Sequence, residues 1–192
     1  MKIVNSETVR RLDAMSSTRH RALDAAVELV GTEGIRALTH GRVDAAASLP
    51  PGSTSNHFRT RAALVAGVAE WIARRERDDA GVPEIGSRDE LVAALTRMIE
   101  LQSGPLAART RARYALFLDA DDDAVRPLRE QRSGMEAWVH GVLSRIGGED
   151  AARNAVFLMA TGDGLLLHRL TVDPDAPIES VVARAVDAAL NA

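Results

Sequence analysis

Apolar residues recur at three- and four-residue intervals along nearly the whole chain, and no window sustains the alternation expected of a strand. This spacing predicts a first helix over 18–33, where Leu23, Ala26, Val27 and Val30 share one face. Ser16, Ser17 or Thr18 offers its N-cap, and Gly34 its stop. Thr39 caps a short second helix ending near Ala47. Ser48, Leu49 and Pro50 break it, and Pro51 opens a third short helix that runs through Phe58. Thr60 caps a fourth helix over 61–79. After the loop 80–90, Ser87 and Asp89 open a helix that lasts to about 102, and further helices are expected over 106–119, 123–146, 149–171 and 178–191. Gly104-Pro105, Gly147-Gly148 and the turn 172–177 separate the later ones. The fold class is therefore all-α, with about nine helices.

The last two helices carry more apolar surface than one neighbour needs. In the final one, Ile178, Val181, Val182, Ala185, Val186, Ala189 and Leu190 form one stripe. The helix before it is apolar almost all round, from Val156, Phe157, Leu158 and Met159 to Leu165, Leu166, Leu167 and Leu170. A helix apolar on every side must be covered on every side. One side suits the core of the chain and the other a second copy. The homodimer seam is expected at Phe157, Ala160, Gly164, Leu167, Val182 and Val186. Gly162 and Gly164 would let backbones approach there, at a helix-propensity cost of about 1 kcal/mol each. A central helix buried within a single chain is the alternative.

The first 61 residues have a different character. Three helices, the second and third joined by a three-residue turn, make helix-turn-helix geometry, in which the third helix enters the major groove of DNA. Leu38, Val43, Ala46, Leu49 and Phe58 suffice for its small core. Ser53, Thr54, Ser55, Asn56 and His57 remain. Five consecutive hydrogen-bonding side chains suit phosphates and base edges better than a core. Charge agrees with this. Residues 1–61 hold nine Lys and Arg against six Asp and Glu, and the remainder holds fifteen against twenty-one. Arg42, Arg59 and Arg61 lie around the third helix.

From Thr18 to Leu64 the chain resembles the DNA-binding domain of the TetR family. The resemblance is carried by Gly34 after helix 1, Thr39 capping helix 2, the turn Ser48-Leu49-Pro50, Gly52 early in helix 3, Phe58 closing it, and Arg61 and Leu64 opening helix 4. "TGDGLLLHRLTVDP" at 161–174 resembles the family's penultimate helix at the dimer seam. Four positions depart from the pattern. Ser48 stands where a Gly is usual, Asp44 where a small residue is usual, and Ser55 where an aromatic is usual. Pro50 also replaces the usual Ser cap, which leaves helix-start N–H groups free for phosphate.

The resemblance implies a sequence-specific transcriptional regulator, a repressor released from a palindromic double-stranded DNA operator by a small-molecule effector. Residues 18–61 would form the head and 62–192 the ligand-binding and dimerisation body. The DNA-facing set is expected to be Thr39, His40, Arg42, Pro51, Gly52, Ser53, Thr54, Asn56, His57 and Arg61. Of these, His40, Arg42 and Arg61 resemble phosphate contacts, and Ser53, Asn56 and His57 resemble positions that face DNA. An adaptable apolar pocket is expected among Trp71, Met98, Tyr114, Phe117, Met135, Trp138 and His140.

The other function classes find less support. The five histidines make no His-Glu-x-x-His helix. There is no nucleophile elbow and no phosphate loop, and "DADDD" at 119–123 lacks calcium-loop spacing. Catalysis, a metal and a cofactor are therefore not expected. The alternatives are a helical enzyme or ligand-binding protein without a DNA-binding role, and a ligand-independent DNA-binding activator. With no cysteine, no apolar run long enough to span a bilayer and no secretory pattern at the N-terminus, a cytoplasmic protein without membrane contact is expected. Residues 1–17 are expected to be a loose tail. Ile3, Val4, Val9 and Leu12 offer little against a backbone ordering cost of about 1–2 kcal/mol per residue. Met15, just before the Ser-Ser-Thr cap, is a natural second start for translation.

Overall fold

In the computed structural model, which describes residues 6–81 and 84–191, all regular structure is helical. The helices are α1 (Ser6–Glu33), α2 (His40–Ala46), α3 (Ser53–His57), α4 (Arg61–Ala80), α5 (Arg88–Ser103), α6 (Ala107–Asp119), α7 (Asp122–Ala152), α8 (Ala155–Thr171) and α9 (Glu179–Leu190). A 3-10 turn, Ile35–Ala37, links α1 to α2.

Three boundaries differ from expectation: α7 continues past the kink at Gly148 to Ala152, so that α8 begins at Ala155 and not at 149, and α1 and α3 also start elsewhere. Helix α1 begins at Ser6, well before Thr18. No Gly or Pro interrupts 6–30, and Glu, Arg, Leu and Met are good helix formers, so nothing stops the helix at Ser16-Ser17-Thr18. A cap residue acts only where the backbone before it leaves the helix. The rest of the tail expectation, including the side chains of Ile3, Val4, Val9 and Leu12, lies outside the described residues. Helix α3 starts at Ser53, so Pro51 is not its first residue. Gly52 takes φ +89°, a left-handed conformation that a right-handed helix cannot include. Near the C-terminus the expected break at Gly147-Gly148 is present, with Gly148 at φ +81°.

The chain forms two compact units, one of residues 1–72 and 111–126, the other of 73–110 and 127–192. In the first, α1 packs against α2 and α3. Leu23, Val30, Leu38, Val43, Phe58, Leu64 and Val68 are buried there. Phe58 packs closely against Gly67 of α4, where an added Cβ would stand 2.4 Å from the ring, and the Arg19 guanidinium lies 5.3 Å from the ring centroid. Arg21 reaches from α1 to the end of α2, donating to Ala47 O (2.7 Å) and Ser48 O (3.2 Å). Those carbonyls have no helical partner of their own.

In the second unit, Leu91, Leu95 and Ile99 of α5, Val139 and Leu143 of α7, Leu158, Leu165 and Leu166 of α8, and Val182 and Val186 of α9 make one core. Arg88 at the head of α5 grips Asp187 of α9 with two hydrogen bonds, 2.7 and 2.9 Å. Arg169 of α8 donates to Ser103 Oγ at the end of α5 (3.0 Å). No helix among the described residues is long and apolar enough to cross a membrane.

Ser48 holds φ +52°, and it is the only described non-glycine residue with positive φ. The left-handed region costs an L-residue roughly 1–2 kcal/mol, while glycine adds about 0.4–1 kcal/mol of freedom to the unfolded chain. Ser48→Gly is therefore expected to stabilise the protein by about 0.5–1 kcal/mol, a rise of roughly 1–4 °C in melting temperature. A scan by circular dichroism checks this, and a fall in melting temperature would mean that the serine side chain contributes something the strain argument lacks.

Candidate nucleic-acid interface

The second helix of the first unit is started by Thr39, whose side chain accepts from Arg42 N at 3.4 Å. Helix α3 has no such cap of its own. Instead Asp44, on α2 and only 4% exposed, accepts from Gly52 N (2.8 Å), Thr54 N (2.8 Å) and Thr54 Oγ1 (2.5 Å). Ser53 N donates to Pro50 O at 3.1 Å. The leading N–H groups of α3 are thus occupied within the chain and are not left free for phosphate. Burial pushes the Asp44 carboxyl up. The Thr54 hydroxyl and N–H, Gly52 N–H and the charge of His40 together outweigh that and hold it below its ordinary value. At the far end of α3, His40 Nε2 lies 2.6 Å from Phe58 O. A carbonyl only accepts, so this nitrogen carries the proton.

These ties fix which side chains of α3 face outward. Ser55 and Asn56 are exposed, and Ser53 and His57 are half-buried. An open concavity of about 420 Å³ is lined by Ser55, Asn56 and Arg59. Thr54 is 0% exposed and turned toward α2, so its expected place among the outward residues is corrected. On a helix one residue is displaced by about 100° from the next, so five consecutive positions cannot share a face. Ser53 and Ser55 turn their hydroxyls back to Pro50 O (2.6 Å) and Gly52 O (2.9 Å). Pro51 and Gly52 are exposed in the turn. Arg42 pairs with Glu33 at 2.6 Å on the surface, and Arg61 donates to Ile35 O at 2.9 Å. His40 is half-buried by its tie to Phe58 O.

The residues expected in a ligand pocket divide between the units. Trp71, in the first, is buried, stacks on His20 (centroids 4.7 Å apart) and donates from Nε1 to Asp24 at 2.8 Å. Tyr114 and Phe117 are half-buried on α6. In the second unit Met98 and Trp138 pack against the same core. Met135 is half-buried and His140 exposed on α7. The seam residues divide as well. Phe157 (47% exposed), Ala160, Gly164 and Leu167 (49%) are uncovered along α8. Val182 and Val186 are the exception and are corrected here. They are 4% and 0% exposed in the chain's own core, because the inner side of α9 faces α5 and α8.

Sequence reasoning missed Asp44 and Arg21 as organisers of the turn. The available signal was an acidic residue directly after the buried Val43, where an apolar neighbour would have been the simpler choice.

The sequence pattern of the family described as tetracyclin repressor-like, C-terminal domain, matches residues 86–192. None of the curated proteins compared with the chain matches it. Solved structures do. A TetR-family member from Streptomyces coelicolor A3 is 28% identical, with 90% of this chain and 98% of that one covered and a TM-score of 0.69. The multidrug binding protein EbrR, complexed with ethidium, is 26% identical, with 90% and 98% covered and a TM-score of 0.63. A transcriptional regulator from Rhodococcus sp. Rha1 has a TM-score of 0.72 at 20% identity, with 90% and 94% covered, which is a likeness of fold. With a family pattern that spans more than half of its length and an all-helical fold shared with solved regulators, this chain belongs to the TetR family of transcriptional regulators.

Proposed function

We propose that the chain is a homodimeric repressor that occupies a palindromic operator through its head, residues 18–61, and leaves it when a small apolar or aromatic molecule enters its body, 62–192. The observation that carries this reading is the outward face of α3. Exposed Ser55 and Asn56 and half-buried His57 lie on a helix whose inner side is held by Asp44 and Phe58, with exposed Arg59 just beyond its end. Short polar side chains on a rigid support suit base edges. The exposed Arg42–Glu33 pair is worth only about 0–1 kcal/mol, so a phosphate can replace Glu33 as the partner of Arg42.

The second copy is supported by α8. Phe157, Ala160, Gly164 and Leu167 follow one another at intervals of three, four and three, the spacing of a helix–helix seam. An added Cβ on Gly164 would meet nothing within 4 Å in the single chain, so space for a close neighbour exists there. A two-fold dimer matches a palindrome. Support for an apolar effector comes from the half-buried Met98, Met135 and Trp138, and from the ethidium held by the related EbrR. The reading is tested by selecting bound duplexes from a random pool and then adding ethidium and other lipophilic aromatic cations. Enrichment of a palindrome that such a molecule releases is the expected result.

Asn56→Ala or His57→Ala should relax preference at one operator position by about 1–3 kcal/mol. Arg42→Ala should weaken all sequences alike and reduce the salt slope by about one. Gel shifts on single-base operator variants across a salt series separate the two behaviours, and equal loss on every sequence from Asn56→Ala or His57→Ala would place base reading elsewhere.

Gly164→Glu should leave a folded monomer, since the position is open within the chain, but put an unpaired carboxylate into a dry seam. Analytical ultracentrifugation of the mutant should show half the mass of the wild type with unchanged helical content. A dimeric mutant would remove α8 from the seam.

A further inference from the structure

The turn between α2 and α3 holds a buried charge that the outward residues do not account for. Removing a carboxylate from water is unfavourable unless charge-assisted hydrogen bonds replace its hydration. All three bonds that do so for Asp44 come from the start of α3: Gly52 N on Oδ2, and Thr54 N and Oγ1 on Oδ1. A small residue at 44 facing an apolar one at 54 would hold the two helices together without this desolvation. The carboxylate adds direction. One oxygen is tied to Thr54 inside α3 and the other to Gly52, the residue that caps its start, so the helix can neither turn about its axis nor slide along α2 without breaking a bond. Helix α3 spans only Ser53–His57, and about 100° of rotation would exchange its outward side chains for their neighbours. The same bonds occupy two N–H groups of the kind that hold phosphates, and they leave a negative charge behind them.

We propose that Asp44, acting with Thr54, is the positioning residue for DNA reading. It fixes the rotation of α3 toward the bases, and its charge at the start of α3 lowers affinity for every duplex alike, so that discrimination is gained at the expense of overall affinity. This inference rests on the operator reading above.

The test uses the full chain, the duplex selected from a random pool and a scrambled duplex of the same length. Binding is read well below the melting temperature of each variant. In Asp44→Asn and Thr54→Val the ratio of affinities for selected over scrambled duplex should fall at least tenfold, while affinity for the scrambled duplex stays level or rises. Thr54→Ser keeps the hydroxyl and should keep the ratio within about threefold. If Asp44→Asn does not fold, the double variant Asp44→Ala/Thr54→Val, which removes charge and hydroxyl together, takes its place with the same expectation. A merely structural role would lower affinity for both duplexes equally, and that result, or an unchanged ratio in folded variants, overturns the inference. A wild type that enriches no common sequence takes the operator reading down as well. One that enriches a sequence while Asp44→Asn keeps the ratio sinks this inference alone.

Discussion

A helix of five residues cannot hold itself together in water, because nucleation fixes several residues for each hydrogen bond gained. Everything proposed for the head depends on how that constraint is met in α3. The answer is a set of tethers from outside the helix. Asp44 holds its start and His40 its end. Phe58, pressed between Arg19 and Gly67, anchors the residue that follows. Arg21 secures the end of α2, from which the turn departs. The helix is a short rigid plate on a frame built by its neighbours, and its outward side chains are free of any duty to the core.

The second unit meets a different constraint. Helix α8 is apolar on nearly every side, and the core formed with α5, α7 and α9 uses Ala155, Leu158, Leu165 and Leu166, with Met159 packed against it. The opposite edge, with Phe157, Leu167 and the more exposed Val156, stays uncovered. Large apolar side chains aligned on one helix edge signal a missing neighbour far more strongly than scattered exposed ones. Ion pairs such as Arg88–Asp187 and Arg132–Asp163 tie α8 and α9 to the rest of the unit, so the uncovered edge is presented by a fixed surface.

Local chemistry was legible in the sequence, and tertiary choices were less so. Thr39 and Ser87 cap the helices expected of them, and Gly34 and Gly148 stand at expected breaks, because caps and left-handed turns are decided within a few residues. The start of α1 was misread because Ser16-Ser17-Thr18 is equally good as a cap and as plain helix, and only the preceding backbone decides. Thr54 was grouped with its polar neighbours because hydrophilicity does not say which polar side chain has a buried partner ten residues away. Val182 and Val186 lay on a correctly drawn stripe, but a stripe does not say whether its own chain or another covers it. For the pocket, aromatic and Met residues could be found but not separated from ordinary core, and Trp71 shows why: its indole N–H and ring are both engaged within the first unit.

That engagement has a practical side. The chain has two tryptophans, Trp71 in the first compact unit and Trp138 in the second. Their surroundings are unlike: one indole is stacked on His20 and bonded to Asp24, the other half-buried against aliphatic core. The molecule therefore holds two indoles in unlike surroundings, one per unit, and replacing either with phenylalanine leaves the other as a single-tryptophan reporter of its own unit without any dye.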